Sequence, residues 1–329
     1  MTLVKLLLVL TGVVSAQADQ IWRPDFLSAS TQFYGPSSPT GPVIVRPTST
    51  AASVTTGTQS TPGGSSTITT KDGTKIFYKD WGTGQPIVFS HGAPLSADDW
   101  DAQMFFFGSH GFRVIAHDRR GHGRSSQPWD GHNMDQYSDD LSELIEYLNL
   151  TNAVLVAHST GGGEITRYMG RHGTSRIAKA VLISSVPPHL IANIPKPVWD
   201  GFRAGILADR STIYRSMTIP FYGYNRPNVT SSQGVIDHFV IQCQQGSIKA
   251  HYDTMTALSE TDFTDDLKSI KIPLLVMHGL DDQIVPFPFA RQLSHQLVKG
   301  SQLVTYPGFP HGMCTTHADV INADLLAFI

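Results

Sequence analysis

"AVLVAHSTGGG", residues 153–163, runs five small or β-branched apolar residues into a histidine, a serine, a threonine and three glycines. The apolar run has the length and composition of a strand buried on both faces, and the glycines lead into a helical pattern. A serine between a buried strand and a helix is the setting of a nucleophile elbow. There the serine is held in a strained conformation at a tight turn, so the residues two places before and after it must be small. Here they are Ala157 and Gly161. The usual pattern is G-x-S-x-G, and Ala157 adds one methyl at its first position. The plainer reading of Gly161, Gly162 and Gly163 is close packing of a helix on a sheet, with Ser159 idle.

Outward from this stretch, strands and helices alternate. "STITT" and "TKIFYKDWG" read as a hairpin around Lys71, Asp72 and Gly73. Short apolar runs of buried-strand type follow at 86–90, 113–118, 153–158, 179–185, 272–278 and 302–306. Between them, Ser96 with Asp99 reads as a capping box opening a helix, Asn133 with Gln136 as another, and "HADVINADLLAFI" as a closing helix. Alternating βα units predict an α/β fold: a mostly parallel, twisted sheet with helices on both faces. Between about 187 and 258 prolines, aromatics and short helical patterns replace the strands, which predicts a helical cap.

A serine hydroxyl needs a base to take its proton, and the base needs an orienting carboxylate. In this fold class the order is serine, acid, histidine, the last two on loops after the final strands. "GLDDQIVP" follows the strand at 272–278, and "PGFPHGM" follows the strand at 302–306. Asp282 and His311 fit the two roles. Asp281 competes, but the G-x-x-D-x-x-V-P spacing, with Gly279, Val285 and Pro286 in register, favours Asp282. His158 and His278 read as core residues. "HGMCTTH" offers His311, Cys314 and His317 as metal ligands, yet no second ligand pair with metal spacing accompanies them, so no metal is expected. The oxyanion that forms during acyl transfer needs backbone N–H donors. Thr160, just after the serine, is one candidate; in "HGAP" Gly92 turns the chain, Pro94 has no N–H, and Ala93 is the other. "DRRGHGRSS", 118–126, reads as a scaffold turn in which Asp118 and Arg120 are structural.

Composition excludes other classes. The 329 residues are 40% hydrophobic, and 24 basic against 27 acidic side chains give a net charge of −3, with no basic excess for nucleic acid. No long apolar run predicts a membrane span. Residues 1–18 carry Lys5, the apolar "LLLVLTGVV" and the small endings "VSA" and "AQA", the pattern of a secretory signal peptide and hence of a secreted protein. Residues 19–65 form a leader rich in Ser, Thr and Pro with too few apolar side chains to order itself, ahead of a catalytic domain at 66–329. Asn149 and Asn228 lie in glycosylation sequons. Cys243 and Cys314 are expected as two separate buried thiols.

From about residue 66 onward the chain resembles the α/β-hydrolase family, and within it the cofactor-free (non-haem) chloroperoxidases, which are also arylesterases and perhydrolases. The resemblance rests on "HGAPLSADDWDAQM", "GFRVIAHDRRGHGRSSQPWDGHNMDQYSDDL", "AHSTGGGEITRYMGRHG", "FYGYNRP", "DDQIVP" and "YPGFPHGMCTTHADVINADLLAFI". It implies an α/β-hydrolase fold, a Ser159, Asp282, His311 triad, no haem, no metal and no other cofactor. The substrates implied are a small ester or carboxylic acid, with hydrogen peroxide and halide as co-substrates. It further implies that Pro94 aims the Ala93 carbonyl at attacking peroxide. The chain departs from the pattern at Ala93, where relatives usually carry an aromatic residue, which predicts a wider acyl pocket. Dehalogenases and epoxide hydrolases share the fold but use an aspartate nucleophile, against Ser159. A plain carboxylesterase or lactonase, a hydroxynitrile lyase, and a non-catalytic binding module remain as alternatives.

Overall fold

The computed structural model describes residues 66–190, 192, 194–287 and 291–329, and the signal-peptide and leader readings lie outside them. Eight strands form one sheet: β1 (Thr67–Thr69), β2 (Lys75–Trp81), β3 (Pro86–Ser90), β4 (Arg113–His117), β5 (Ala153–His158), β6 (Ile177–Ile183), β7 (Leu274–Gly279) and β8 (Gln302–Tyr306). Their spatial order is β1-β2-β4-β3-β5-β6-β7-β8. β2 is antiparallel to β1 and to β4, and every pairing from β4 through β8 is parallel. The hairpin turns at Gly73, whose φ of 85° suits glycine.

The opening stretch shows why the sheet needs cover on both sides. All six residues of β5 are buried. Successive side chains of a strand point to opposite faces, so Leu155 and Ala157 enter one core with Leu141, Leu144 and Ile165. Val154 and Val156 enter the other with Trp100, Phe107 and Leu325. The first face is covered by α2 (Met134–Tyr147) and α3 (Thr160–His172), and the second by α1 (Asp101–Ser109) and α10 (Ala318–Phe328). Between β6 and β7 the chain forms α4 (Lys196–Phe221), α5 (Gln233–Gln245), α6 (Ile248–Glu260) and α7 (Thr264–Ser269). α4 breaks at Asp209, whose carboxylate accepts from the Thr212 amide at 3.0 Å and caps the second half. These helices build a third core that includes Phe221, Tyr222, Phe239 and Val285, with Ala93 packed at its margin. Two further short helices lie among the described residues, α8 (Arg291–Leu297) and α9 (Met313–Thr316).

Two local readings change. Ser96 does not form a reciprocal capping box with Asp99: its Oγ accepts from the Asp98 amide, and its own N–H goes to Gln242 Oε1 at 3.1 Å. The segment begins as a 3₁₀ turn, Ala97–Trp100, and Asp99 points into the interior instead. The strand expected at 179–185 stops at Ile183, because Ser184 takes a φ of 44° that ends the extended chain. Asn133 does cap α2, accepting from the Gln136 amide at 3.0 Å, while the Gln136 side chain turns to Asp140.

Candidate active site

Ser159 sits between β5 and α3 with φ 53° and ψ −119°. Such a φ is costly for a residue with a Cβ, and it persists only where the surroundings hold it. They do: the Ser159 amide donates to Ile183 O at 3.0 Å, and its carbonyl accepts from Gly162 and Val186. The small residues are required by contact. A Cβ on Gly161 would lie 2.2 Å from the Ser90 carbonyl oxygen, and one on Gly162 would lie 2.2 Å from Ser185 Oγ. Ala157, in contrast, is an ordinary core residue whose methyl is accommodated.

The loops after β7 and β8 bring Asp282 to His311. His311 Nδ1 lies 2.7 Å from Asp282 Oδ2, with both side chains fully buried. Asp282 Oδ1 accepts from the amides of Ile284 and Val285 at 2.9 and 2.8 Å, which fixes the carboxylate before His311 meets it. Burial alone would raise the Asp282 pKa; the His311 ring and its hydrogen bond, with His278 and the Val285 amide, outweigh it and hold the carboxyl below its ordinary value. Asp281 points outward and is clamped by Arg226 at 2.5 and 2.6 Å. The two loops are knitted together by Leu280 N to Tyr306 O and Asp281 N to Phe309 O. His311 Nε2 has no hydrogen-bond partner. The structure therefore joins Asp282 to His311 directly, and it records no hydrogen bond between that Nε2 and Ser159. Resting enzymes often hold such pairs loosely, tightening them on the substrate.

Gly92 packs between the two halves of the site, its Cβ position 3.1 Å from Ser159 Cβ and 3.1 Å from His158 Nδ1. It opens a turn closed by Leu95 N to Gly92 O at 3.0 Å, with Ala93 and buried Pro94 at its centre. Neither the Ala93 amide nor the Thr160 amide takes part in a turn or loop hydrogen bond; Thr160 is also the first residue of α3, where an N–H has no helical partner. Both are free to meet a developing negative charge. Half-buried Trp199, Tyr224 and Ile284 join Ala93 against the third core.

The insertion supports the histidine loop. Gly312 N donates to Phe221 O at 2.8 Å, and the Phe221 ring meets the His311 ring edge-on at 4.8 Å. His158 does more than fill core: its Nε2 donates to the main-chain carbonyl of His311 at 3.0 Å. His278 Nε2 similarly donates to Val285 O at 2.9 Å. The scaffold turn holds Asp118, which accepts from the Ala97 amide and pairs with Arg124, and Arg120, which pairs with Asp140. Beneath it, buried Arg119 pairs with Glu164, which also meets His117; this triad had no sequence signal, since its members are spread over three elements. Cys314 is buried and His317 stacks on Phe309. No metal-binding group of three ligands exists among the described residues. Cys243 and Cys314 are both buried and unpaired.

A model of the alpha/beta hydrolase family matches residues 87–323. A non-heme chloroperoxidase of Streptomyces lividans is 55% identical over 272 residues, covering 80% of this chain and 99% of its own. A bifunctional esterase/perhydrolase of Acinetobacter calcoaceticus is 53% identical over 271 residues, covering 80% of this chain and 98% of its own. Among solved structures, a bromoperoxidase from Bacillus anthracis superposes with a TM-score of 0.75 at 38% identity, over 78% of this chain and 95% of that one. With a family model that runs from β3 into α10 and relatives matched over nearly their whole length, the chain belongs to the alpha/beta hydrolase family and resembles its non-heme chloroperoxidases and esterase/perhydrolases.

Proposed function

We propose that the protein is a serine hydrolase of the non-heme chloroperoxidase type, cleaving small aryl esters and forming peracids with hydrogen peroxide. The observation that carries this reading is the His311 imidazole, bonded to Asp282 through Nδ1 and bare at Nε2, on a loop tied by its main chain to His158, the residue before the strained Ser159. Ser159 Oγ attacks the ester carbonyl as His311 Nε2 takes its proton, and the amides of Ala93 and Thr160 receive the oxyanion. His311 passes the proton to the departing phenolate or alkoxide, which leaves an acyl-serine. Water, losing a proton to His311, then releases the carboxylic acid and restores Ser159. Hydrogen peroxide in the same step releases a peracid, which oxidises halide to hypohalous acid in solution and itself becomes the carboxylic acid. The reaction needs no metal or cofactor for proton or electron balance.

Pro94 bears on the choice of nucleophile. A proline restricts both itself and the residue before it, so it constrains where the Ala93 carbonyl points. A carbonyl near the acyl-serine accepts a hydrogen bond from the second O–H of peroxide, a bond that water uses less well. The test is a panel of p-nitrophenyl and phenyl esters with and without peroxide and bromide, run on the wild type and Pro94→Leu. Hydrolysis by the wild type, bromination that depends on both ester and peroxide, and a peracid-to-hydrolysis ratio about tenfold lower in Pro94→Leu are expected, tenfold being one hydrogen bond. Ester hydrolysis with no peroxide-dependent bromination would leave a plain esterase, and no ester hydrolysis at all would overturn the reading.

A further inference from the structure

Behind the Asp282 and His311 pair lies a second pair that the scheme above does not use. His158 is fully buried, and its Nε2 meets the His311 carbonyl at 3.0 Å. A carbonyl only accepts, so that nitrogen carries the proton. Burial first, then the neighbouring His311, keeps the imidazole neutral, with its pKa lowered to about 3. Nδ1 is therefore a bare acceptor, and it has no hydrogen-bond partner. Gly92 packs against it, and the carboxyl that faces it is Asp99, whose Oδ2 lies 3.9 Å away, just beyond hydrogen-bond distance.

Two buried acceptors this close disfavour a negative charge on either, and a proton on one lets a small side-chain rotation close the gap to a hydrogen bond. His158 cannot supply it without releasing the His311 carbonyl, so it belongs to Asp99. The Asp99 side chain is 4% exposed, and burial, with the charge of Asp101 adding to it, raises its pKa to about 7. The other titratable groups that sense Asp99 are Tyr222 at the end of α4, Cys243 of α5 and Cys314 of α9, all neutral when protonated and none a cation.

The geometry points to Asp99 as a positioning residue: its protonated carboxyl holds His158 in the tautomer that anchors the His311 main chain, and loss of that proton slackens the general base. Once Asp99 ionises, either the two acceptors repel or the His158 proton moves to Nδ1, and in both cases the bond to the His311 carbonyl weakens. This rests on reading His311 as the general base. The consequence is an alkaline decline in turnover set by a residue that never touches substrate.

The test follows p-nitrophenyl acetate hydrolysis, corrected for the uncatalysed rate, from about pH 5 to about pH 9. In the wild type kcat falls about tenfold through one ionisation above neutrality while KM changes little. Asp99→Asn, whose amide donates to His158 Nδ1 at every pH, keeps the neutral-pH kcat and loses the decline. Asp99→Ala stays at every pH about tenfold below the wild type's neutral-pH kcat, as expected for one lost hydrogen bond, and meets the wild type at high pH. An Asn variant that declines as the wild type does, or one as slow as the Ala variant, overturns the proposal. If the Ala variant does not fold, the wild-type and Asn profiles decide alone. Imidazole ¹⁵N spectra of the same proteins read the pairing without any ester: His158 Nδ1 shows a hydrogen-bonded shift in the Asn variant and in the wild type at low pH, and loses it in the wild type at high pH. That pattern in a protein inert to esters would overturn the hydrolase reading and uphold the pairing. An Nδ1 signal unmoved by pH and by substitution would overturn the pairing itself.

Discussion

Adjacent aspartates at 281 and 282 do different work because their surroundings differ. Asp281 lies at the surface in a bidentate pair with Arg226, the kind of contact worth about 0–1 kcal/mol. Asp282 is buried, accepts two backbone amides and meets His311. Asp282→Asn is expected to lower kcat by roughly 10⁴, since the amide selects the wrong imidazole tautomer, while Asp281→Asn stays within a few-fold. Steady-state kinetics of the two variants on one aryl ester checks this, and equal losses would contradict it. The choice between them was legible because it is local: the amides that hold the carboxylate lie two and three residues further on. Asp99 was illegible for the opposite reason. Its S-x-x-D spacing imitates a capping box, and the outcome turned on Gln242, distant in the chain, taking the Ser96 amide.

At the scale of elements, the turn from β5 to α3 is set by contact as much as by propensity. Gly161 faces the backbone of β3, and a methyl there would lie 2.2 Å from a carbonyl that cannot rotate away. Gly161→Ala must displace α3 or β3, which is expected to cost about 1–3 kcal/mol and, by misplacing Ser159 and Thr160, about 10² in kcat. Gly108 in α1 is the control: its added Cβ would meet only Val114 Cγ2, at 3.7 Å, and alanine is the better helix former by about 1 kcal/mol. Urea denaturation with kinetics on both variants reads the contrast. Strand positions were legible because buried parallel strands are continuous apolar runs. The third core was not: α4 to α6 carry no single periodic stripe, and their apolar residues find one another only in the folded insertion, whose Phe221 roofs His311.

The whole molecule carries an acid liability that no single element shows. His91, His122, His158 and His251 are all fully buried with pKa values lowered by desolvation first and by neighbouring charges after it. Each is neutral in the fold and takes a proton in the unfolded chain below its ordinary value of 6.5. Depressed folded values mean stability that is full above that pH and lost as pH falls. Asp99 acts in the opposite sense, its raised value favouring the fold as pH falls through about 7. Four such histidines outweigh one such aspartate, so between about pH 6 and pH 5 these groups take up protons on unfolding and stability falls as the pH falls. Against a typical stability of about 5–15 kcal/mol, a few such protons are enough to matter. Denaturant midpoints measured across the range should fall steeply below about pH 6, and a flat profile would contradict the buried neutral histidines.

If Ser159 carries the acyl group, a trapped acyl-enzyme shows it there. Intact-mass and peptide mass spectrometry after rapid acid quench of a p-nitrophenyl ester reaction should find one acyl group per chain, on the peptide that holds Ser159. Ser159→Ala should fold, carry no adduct and lose nearly all turnover, on the order of 10⁶ for a triad nucleophile. An adduct on another residue, or ordinary turnover by Ser159→Ala, would contradict the account.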